Sequence, residues 1–380
     1  MYSIRELAEK CNAAGEYNGK VLCDEPLAGR TTMRVGGKAA LFLEPADEKS
    51  LLFALGELRS TGVPFFVLGG GSNVIISDSG FDGAVISTRK MCGVEFSTER
   101  TEYEFQEKNT SASECSPCAP TLCGKRNTMG AEEFPVEKAE STKIGGICGR
   151  IAVAAGTSWG SVMAFCREHD LGGLEGFTAL SGTVGGAVYM NATCFGLSAC
   201  DRLVSVRYLD TASGEIGEYV MDEEKRAADW GYKKSPFQAG HIDCLENSQV
   251  WSEGETSPLA IILSAQFSVA KRFDFAKSEH CIAQRKEKGH FLAPSAGSVF
   301  KNDAANGVIA GKLIDECGLK GFQIGGAKVA PWHGNFIVNT GNATAQDIFD
   351  LVQKVRNVVR EKKGIFLETE IIFCGNEFSH

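Results

Sequence analysis

A serine stands between a glycine and an apolar pair in residues 294–302, PSAGSVFKN, with Lys301 and Asn302 close behind it. The stretch contains no histidine and no G-x-S-x-G sequence, so the nucleophilic serine of a hydrolase is not indicated. Two interpretations remain for Ser298. It is either a polar residue of a glycine-containing turn or a hydroxyl that gives or takes a proton during a reaction.

Two glycine-rich stretches are candidates for binding phosphate, and the first is GGGSN at residues 69–73. Successive glycine N–H groups can form an anion-binding nest, and Ser72 and Asn73 add side-chain donors. The stretch lacks the Gly-Lys-Ser/Thr of a Walker A loop. It also differs from a dinucleotide G-x-G-x-x-G motif, because NVIISD continues as a strand or loop instead of a helix. Alone it is either a structural turn or a phosphate site.

The second stretch is LSGTVGGAVYMNATCFG, residues 180–196. Small residues around Gly182, Gly185 and Gly186 would let backbone N–H groups approach a diphosphate closely. Alone this pattern fits tight packing as well as a ligand cradle. Two such stretches in one chain favour an extended dinucleotide bound between two subdomains.

Charged candidates lie further along the chain. In LETEIIF, residues 367–373, alternation would place Glu368 and Glu370 on one face of a strand, so spacing alone does not choose between them. In GYKKSPF, residues 231–237, Tyr232 precedes Lys233 and Lys234. A tyrosine in such a place is more often a packed ring than a ligand contact.

Residues 98–143 form a polar, charged segment with few aliphatic side chains, which we interpret as an insertion or flexible loop. It carries Cys115, Cys118 and Cys123, half of a zinc site that Cys92 or Cys148 could complete. The alternative is a disordered loop with incidental cysteines, and we expect no metal. Other cysteines should be reduced and buried as small apolar residues, namely Cys166, Cys281, Cys317 and Cys374.

The elements that would position these residues alternate between strands and helices. An amphipathic helix starts the chain, and residues 39–44 read as a strand. Asp47 should cap a helix that buries Leu51, Leu52, Leu55 and Leu58 and stops at Gly62. A strand at 64–68 completes this β-α-β unit.

The remaining pattern has the same mixed character. Strands are predicted at 83–87, 149–156, 258–270, 335–339 and 365–373. Thr157 should cap a helix that ends at the glycine pair 172–173, another helix covers 307–318, and Thr344 should open a long amphipathic helix. The fold class is therefore α+β in two parts, with a boundary near residues 240–257.

Bulk composition limits the functional classes. The chain has 380 residues, a net charge of −9 and no basic run, which argues against nucleic-acid binding. Residues 258–270 form the longest apolar run, which is too short to span a bilayer, and the N-terminus does not resemble a signal peptide. We expect a cytoplasmic protein, a monomer or weak oligomer, that acts on a small molecule.

Seven stretches occur in the order found in one protein family, and together they cover most of the chain outside residues 98–143. They are TTMRVGG (31–37), VLGGGSNVIISDSGFDGAVI (67–86), LSGTVGGAVYMNA (180–192), GYKKSPF (231–237), AGSVFKN (296–302), AGKLIDECGLKGFQIGGAKV (310–329) and LETEIIF (367–373). The chain resembles the UDP-N-acetylenolpyruvoylglucosamine reductases, the MurB family of peptidoglycan precursor synthesis. It is most similar to the compact form, which lacks an extra tyrosine-bearing loop.

The resemblance implies a fold and a reaction. Residues 1–240 would form an FAD-binding module of the PCMH/vanillyl-alcohol-oxidase type with subdomains at about 1–90 and 91–240, followed by an α+β substrate domain at 250–376. NADPH would reduce FAD, whose N5 would transfer hydride to the enolpyruvyl double bond of the UDP-sugar, giving UDP-N-acetylmuramate. The alternatives are another flavin oxidoreductase on this scaffold or a flavin-binding protein with impaired catalysis.

The resemblance also implies residue roles. Ser298 would be the proton donor, Glu370 the catalytic carboxylate, and Lys233 would stand at the position of the catalytic arginine. The implied substrate contacts are Tyr232, Lys301, Asn302 and Gln323. The implied cofactor contacts are Gly69, Gly70, Gly71, Ser72, Asn73, Gly182, Thr183, Gly185, Gly186 and Asn191.

Three residues depart from the family pattern. Lys233 replaces an arginine, so a point charge stands where the family has a planar two-pronged clamp for a carboxylate. We expect activity to survive with weaker binding or slower turnover, and Lys234 could also supply the charge. Ser181 replaces a proline and Arg30 an asparagine. Neither change removes a backbone donor, so FAD binding should be retained.

Overall fold

The computed structural model describes residues 4–13, 15–98, 146–238, 243–245, 248–251, 260–303, 307–375 and 378. Residues 99–145, which hold nearly all of the predicted insertion and its three cysteines, lie outside this set. Within it, the four cysteines expected to be buried are buried. In the same part of the chain, no three His, Cys, Asp or Glu side chains gather as a metal site, and no helix is long and apolar enough to cross a membrane.

The first subdomain is a four-stranded sheet with helices packed on it. Its strands run in the order β1-β2-β5-β3, with the β2–β5 and β3–β5 pairs parallel. The elements are α1 (Ile4–Ala13), β1 (Gly19–Pro26), β2 (Lys38–Pro45), α2 (Glu48–Thr61), β3 (Phe65–Leu68), β4 (Val74–Ile76) and β5 (Phe81–Ser87).

The predicted caps of α2 are confirmed, because the Asp47 side chain accepts a hydrogen bond from the Ser50 N–H and Gly62 takes a left-handed φ of 68°. The predicted apolar face is wrong at one position. Leu52 is 36% exposed, and Ala54 is buried against the sheet instead.

The second subdomain is built on a six-stranded sheet in the order β12-β11-β15-β7-β6, with β8 beside β15. Its core surrounds Trp159, Phe177 and Phe267. The elements are β6 (Val94–Ser97), β7 (Ile147–Ala154), α3 (Trp159–Glu168), β8 (Leu171–Gly172), α4 (Val184–Tyr189), β9 (Thr193–Cys194), β10 (Leu197–Ser198), α5 (Ala199–Arg202), β11 (Leu203–Asp210), β12 (Ile216–Val220), α6 (Glu223–Asp229), β15 (Ala260–Lys271) and α7 (Phe275–Glu287). Two further strands in this stretch of chain, β13 (Asp243–Leu245) and β14 (Ser248–Trp251), belong to a separate sheet that also contains β4.

The predicted cap of α3 is off by one residue. Ser158 caps the helix by accepting a hydrogen bond from the Ser161 N–H. Thr157 is engaged elsewhere, because its hydroxyl exchanges hydrogen bonds with the backbone of Gly93. The helix also ends at Glu168, and Gly172 belongs to β8.

The C-terminal part is a four-stranded antiparallel sheet, ordered β16-β19-β18-β17, with α9 packed against it. Thr344 caps α9 with a capping box, as predicted. The elements are β16 (Ser295–Ser298), α8 (Ala310–Glu316), β17 (Gln323–Ile324), β18 (Ala327–Val329), β19 (Phe336–Asn339), α9 (Ala345–Lys363) and β20 (Ile372–Cys374).

The strand predicted at 365–373 is mostly wrong, since only β20 joins a ladder, where it pairs in parallel with β4 and β14. Residues 365–371 are irregular except for a single bridge between Thr369 and Phe300. Glu368 and Glu370 therefore do not share a strand face.

The position of β15 bears on the domain boundary. This strand hydrogen-bonds to β11 and β7, and α7 packs on the second subdomain through Arg285 and Ser278, which both bond to Thr178. The C-terminal core begins at Ala296 and also takes in Met33, Val35 and Ile75. We propose that the C-terminal domain starts near residue 288 instead of 250.

Candidate active site

A cavity of about 600 Å³ lies where the three parts meet. Its volume is in the usual range for sites that bind small molecules. Both glycine stretches line it, together with Tyr232, Lys233, Ser298, Asn302 and Glu370. The chain therefore gathers in one cavity residues as distant in sequence as Gly69 and Glu370, which are 301 positions apart.

The first glycine stretch forms the turn between β3 and β4. Gly71 has a φ of +64°, and a Cβ there would lie 2.2 Å from the Arg30 carbonyl oxygen, so only glycine fits. Within the described chain the N–H groups of Gly70, Gly71 and Ser72 donate no hydrogen bond to protein. Three successive unused N–H groups facing a cavity can bind an anion.

The second glycine stretch meets the first directly. A Cβ on Gly70 would lie 2.4 Å from the Cα of Gly182, and a Cβ on Gly182 would lie 2.6 Å from the Ser72 Oγ. Thr183 caps α4 by accepting from the Gly186 N–H at 3.5 Å. The positive end of this short helix therefore points toward the same cavity as the unused N–H groups.

A buried ion pair joins two of the predicted catalytic residues. Lys233 Nζ lies 2.7 Å from Glu370 Oε1, and the side chains are only 10% and 12% exposed. Burial raises the pKa of Glu370, although Lys233 opposes the shift. Burial lowers the pKa of Lys233, but the charge and hydrogen bond of Glu370 outweigh it and leave this pKa raised. The lysine is therefore held as a cation beside the cavity.

The turn that carries Lys233 is strained. Gly231 and Lys234 hydrogen-bond to each other's backbone, and Lys233 between them has a φ of +57°, which is unusual for a residue with a side chain. The Gln238 amide donates to the Lys233 carbonyl at 3.2 Å. Strain of this kind persists where surrounding contacts enforce it, and it commonly marks functional positions.

Glu370, and not Glu368, is the carboxylate of the cavity. Glu368 is 57% exposed and pairs with Lys301 at 3.4 Å, outside the cavity lining. The Glu370 N–H donates to the Val299 carbonyl at 2.7 Å, which fixes Glu370 beside the residue that follows Ser298. The structure thus separates two glutamates that spacing alone could not.

Ser298 closes β16 and lines the cavity. Gly297 before it has a φ of +78°, so the strand bends where the serine begins. Among the described residues the Ser298 hydroxyl has no hydrogen-bond partner. A hydroxyl in this position is available to a bound molecule.

Three predicted contacts lie outside the cavity lining. Lys301 pairs with Glu368, and the Gln323 side chain is exposed on β17, where its amide donates to the Gly325 carbonyl. Asn191 is buried below the cavity, and its amide bonds to the Gly231 carbonyl. The other predicted site residues all line the cavity.

One wall of the cavity was not predicted. It is formed by the end of α7 and by the β9–β10 turn, and includes Cys194, Phe195, Arg285, Lys288 and His290. Arg285 is only 8% exposed, and in the described structure it has no ion pair. Its guanidinium donates to the Thr178 carbonyl at 3.2 Å and to Cys194 Sγ at 3.3 Å. In the sequence, this arginine is indistinguishable from a basic residue that favours the end of a helix.

Two histidines beside this wall make stability depend on pH. Burial, with nearby cations, lowers the pKa of His290 and of His333 from 6.5 to about 4. The cations are Arg285, His333 once it is protonated, and Lys288 for the first ring. They are Lys288 and Lys320 for the second. Each Nδ1 also accepts a hydrogen bond, from Arg285 and from the Asn335 N–H respectively, which a protonated ring could not do.

Because the folded pKa lies below the unfolded one, we expect the free energy of unfolding to fall as the pH decreases from about 6.5 to about 4. Urea titrations across this range would measure the slope. His333→Gln should flatten it, whereas the same change at exposed His280 should not. An identical slope in His333→Gln would show that this histidine is not responsible.

Comparison with known proteins identifies the family. Residues 288–374 match the model of the UDP-N-acetylenolpyruvoylglucosamine reductase C-terminal domain, and residues 39–106 match an FAD binding domain. The chain is 36% identical to the UDP-N-acetylenolpyruvoylglucosamine reductase of Treponema denticola over 93% of each protein. It is 30% identical to that of Bacillus subtilis, over 94% of this chain and 95% of the relative.

A solved structure agrees with the sequence relatives. The crystal structure of the reductase MurB from Thermus caldophilus superposes with a TM-score of 0.61 and 25% identity, covering 94% of this chain and 99% of that one. The two-part α+β fold with an FAD-binding module is thereby confirmed. The chain belongs to the UDP-N-acetylenolpyruvoylglucosamine reductase family.

Proposed function

We propose that this protein uses FAD and NADPH to reduce UDP-N-acetylenolpyruvoylglucosamine to UDP-N-acetylmuramate, a step of peptidoglycan precursor synthesis. The observation that carries the proposal is the arrangement of one cavity. A buried Lys233–Glu370 pair and the unpartnered Ser298 hydroxyl line it together with two glycine loops.

The glycine loops fit FAD. The unused N–H groups of Gly70, Gly71 and Ser72 would hold its diphosphate, and Gly182 leaves room for close approach because it has no side chain. Bound FAD would supply hydride transfer, taking the hydride from NADPH. The protein itself has to orient the sugar nucleotide, neutralise its carboxylate and provide a proton.

Lys233 is the candidate for neutralising the enolpyruvyl carboxylate. Its ammonium has three N–H donors, and Glu370 uses one of them, so two remain for a bound carboxylate. Charge that develops at this carboxylate during reduction is stabilised by a cation already in place. Lysine orients the group less tightly than arginine would.

Ser298 is the candidate for the proton. Reduction of the enolpyruvyl double bond leaves a carbanion-like carbon beside the carboxylate, and that strongly basic centre takes a proton from a hydroxyl without needing an acidic one. The bond from Oγ to hydrogen breaks as the new carbon–hydrogen bond forms. The serine alkoxide then recovers its proton from solvent, because Glu370 is the ionised partner of Lys233 and has no proton to give.

Anaerobic stopped-flow spectroscopy tests the assignment in two half-reactions. NADPH should bleach the flavin absorbance, and the enolpyruvyl UDP-sugar should restore it in the absence of oxygen. UDP-N-acetylglucosamine, which has no double bond to reduce, is the matched control and should leave the flavin bleached. Bleaching without recovery by the enolpyruvyl sugar would contradict the proposal and favour a flavin-binding protein with impaired catalysis.

We also infer a cytoplasmic location and a monomeric or weakly associated state. Both substrates are negatively charged nucleotides of the cell interior. The excess of acidic residues in the chain gives no support to a nucleic-acid partner.

A further inference from the structure

We propose that Asn73 and Asn191 are positioning residues, each of which holds the backbone of one partner of the Lys233–Glu370 pair. Asn73 ends the first glycine loop, and Asn191 follows α4, the helix that the second loop begins. Each cofactor loop would thereby be tied to one half of the ion pair. The inference rests on the proposed function for its catalytic consequence, but not for its geometry.

Asn73 holds the Glu370 side. Its amide Nδ2 donates to the Glu370 carbonyl at 3.0 Å, and its own carbonyl accepts from the Ile372 N–H at 2.9 Å. Glu370 precedes β20 and lies outside any sheet ladder, so its backbone depends on such isolated bonds. Another such bond is the one that the Glu370 N–H donates to the Val299 carbonyl. The Asn73 side chain is thus directed at Glu370, while the N–H groups of the residues before it remain unused.

Asn191 holds the Lys233 side. It is 2% exposed, and its Nδ2 donates to the Gly231 carbonyl at 2.7 Å while its Oδ1 accepts from the Cys200 N–H at 3.1 Å. Gly231 opens the turn that forces Lys233 to a positive φ. Asn191 itself has a φ of 41°, which asparagine tolerates better than most residues. The nitrogen and the oxygen of this buried amide therefore each bond to the backbone.

The hydrogen bonds from Asn73 to Glu370 and from Asn191 to Gly231 together indicate how cofactor binding prepares the site. The Nζ–Oε1 distance of 2.7 Å requires the turn at 231–234 and the segment at 370 to keep a fixed separation. The turn and the segment are each linked by an asparagine side chain to a different glycine loop. The two loops contact each other at Gly70 and Gly182. A nucleotide that orders the loops would consequently order the ion pair.

Asn73→Ala is the first test. We expect FAD still to bind, as followed by flavin fluorescence, and NADPH still to reduce the flavin, with both changed less than the sugar half-reaction. The sugar half-reaction should slow by about tenfold, the effect of losing one hydrogen bond, and its pH profile should shift because Glu370 is less well held beside Lys233. Weaker FAD binding with an unchanged sugar half-reaction would overturn the proposal.

The matched control is Asn339→Ala. The Asn339 amide donates to the Met33 carbonyl at 3.0 Å, in the C-terminal core and away from the cavity lining. This variant loses that bond and two more, which the Asn339 Oδ1 accepts from the Gly341 and Ala343 N–H groups. It should therefore lose at least as much stability as Asn73→Ala, without a shift in the pH profile of the sugar half-reaction. A shift as large as that of Asn73→Ala would attribute both effects to general destabilisation and overturn the positioning role.

Two further variants are Asn191→Gly and Glu370→Gln. Glycine is chosen at position 191 because it tolerates the left-handed backbone there. Asn191→Gly should raise the KM for the UDP-sugar more than it lowers kcat. In a Glu370→Gln background, Asn73→Ala should add little further loss, because residues that act through one another are not additive. Full additivity would overturn the proposal.

Hydrogen exchange read by mass spectrometry tests the geometry without any substrate. Adding FAD should protect residues 367–374 in the wild-type protein and not in Asn73→Ala, and equal protection in both would overturn the coupling. If wild-type flavin is never reoxidised by the sugar, the proposed function fails. The exchange result then still decides whether Asn73 holds Glu370.

Discussion

Replacing Ser298 by alanine is expected to slow reoxidation of the reduced enzyme by the UDP-sugar about a hundredfold or more, the usual cost of a lost general acid. Reduction of the flavin by NADPH should keep its rate, because that half-reaction needs no proton from this serine. The Ser298 hydroxyl lines the cavity and has no protein partner in the described chain, so no structural hydrogen bond is lost. Anaerobic stopped-flow measurements of the two half-reactions separate these effects.

Ser295→Ala is the matched control. Ser295 lies in the same strand, three residues earlier, and is absent from the cavity lining. Its carbonyl accepts a hydrogen bond from Thr32, which the substitution leaves in place. We expect both half-reactions to be unchanged. An undiminished sugar half-reaction in Ser298→Ala would remove Ser298 from the mechanism.

Replacing Lys233 by methionine is expected to lower the free energy of unfolding by about 3–5 kcal/mol at neutral pH, because it leaves a carboxylate buried without its partner. It should also raise the KM for the UDP-sugar or lower its turnover. Burial already raises the pKa of Glu370 and Lys233 opposes that shift, so the variant should raise it further. Since a carboxyl group with a raised pKa destabilises the fold when ionised, part of the lost stability should return as the pH falls.

Urea titrations at several pH values, with steady-state kinetics, check both parts of this prediction. Adding Glu370→Gln to Lys233→Met should restore much of the stability and none of the activity. Lys234→Met provides the control, because Lys234 is exposed and lies outside the cavity lining. If Lys234→Met, and not Lys233→Met, weakened sugar binding, the neighbouring lysine would be the functional cation.

The helix limits that depend on local sequence could be predicted. Asp47 and Gly62 around α2, and Thr344 before α9, act through bonds to residues within four positions, so the chain encodes them locally. Thr157 was mistaken for a cap because an adjacent serine has the same chemistry. Its actual partner, Gly93, is 64 residues away.

The strand predicted at 365–373 failed for a related reason. Its apolar alternation is real, but a strand also needs a neighbour, and only β20 has one. The remaining residues cross between the sheets, held by single bonds such as the one between Lys301 and Glu368. That irregular path is what turns Glu370 into the cavity and leaves Glu368 exposed.

The residues of the candidate site also differ in whether the sequence alone can identify them. Ser298, Glu370 and Lys233 could be named as candidates because each stands in a motif whose order along the chain resembles a known family. Arg285 and the positioning role of Asn73 could not be found in this way. Their partners, Thr178 and Glu370, are 107 and 297 residues distant, so only the folded chain reveals them.

The C-terminal core has a consequence for how this protein can be divided. Although residues 288–374 match a domain model of their own, their core is completed by Met33, Val35 and Ile75, and their last strand is paired with β4. A fragment cut at residue 288 would carry an open hydrophobic hole and an unpaired strand edge. Residues 288–374 are therefore a unit of sequence without being an autonomous unit of folding, and their core can close only when the N-terminal segment is present to complete it.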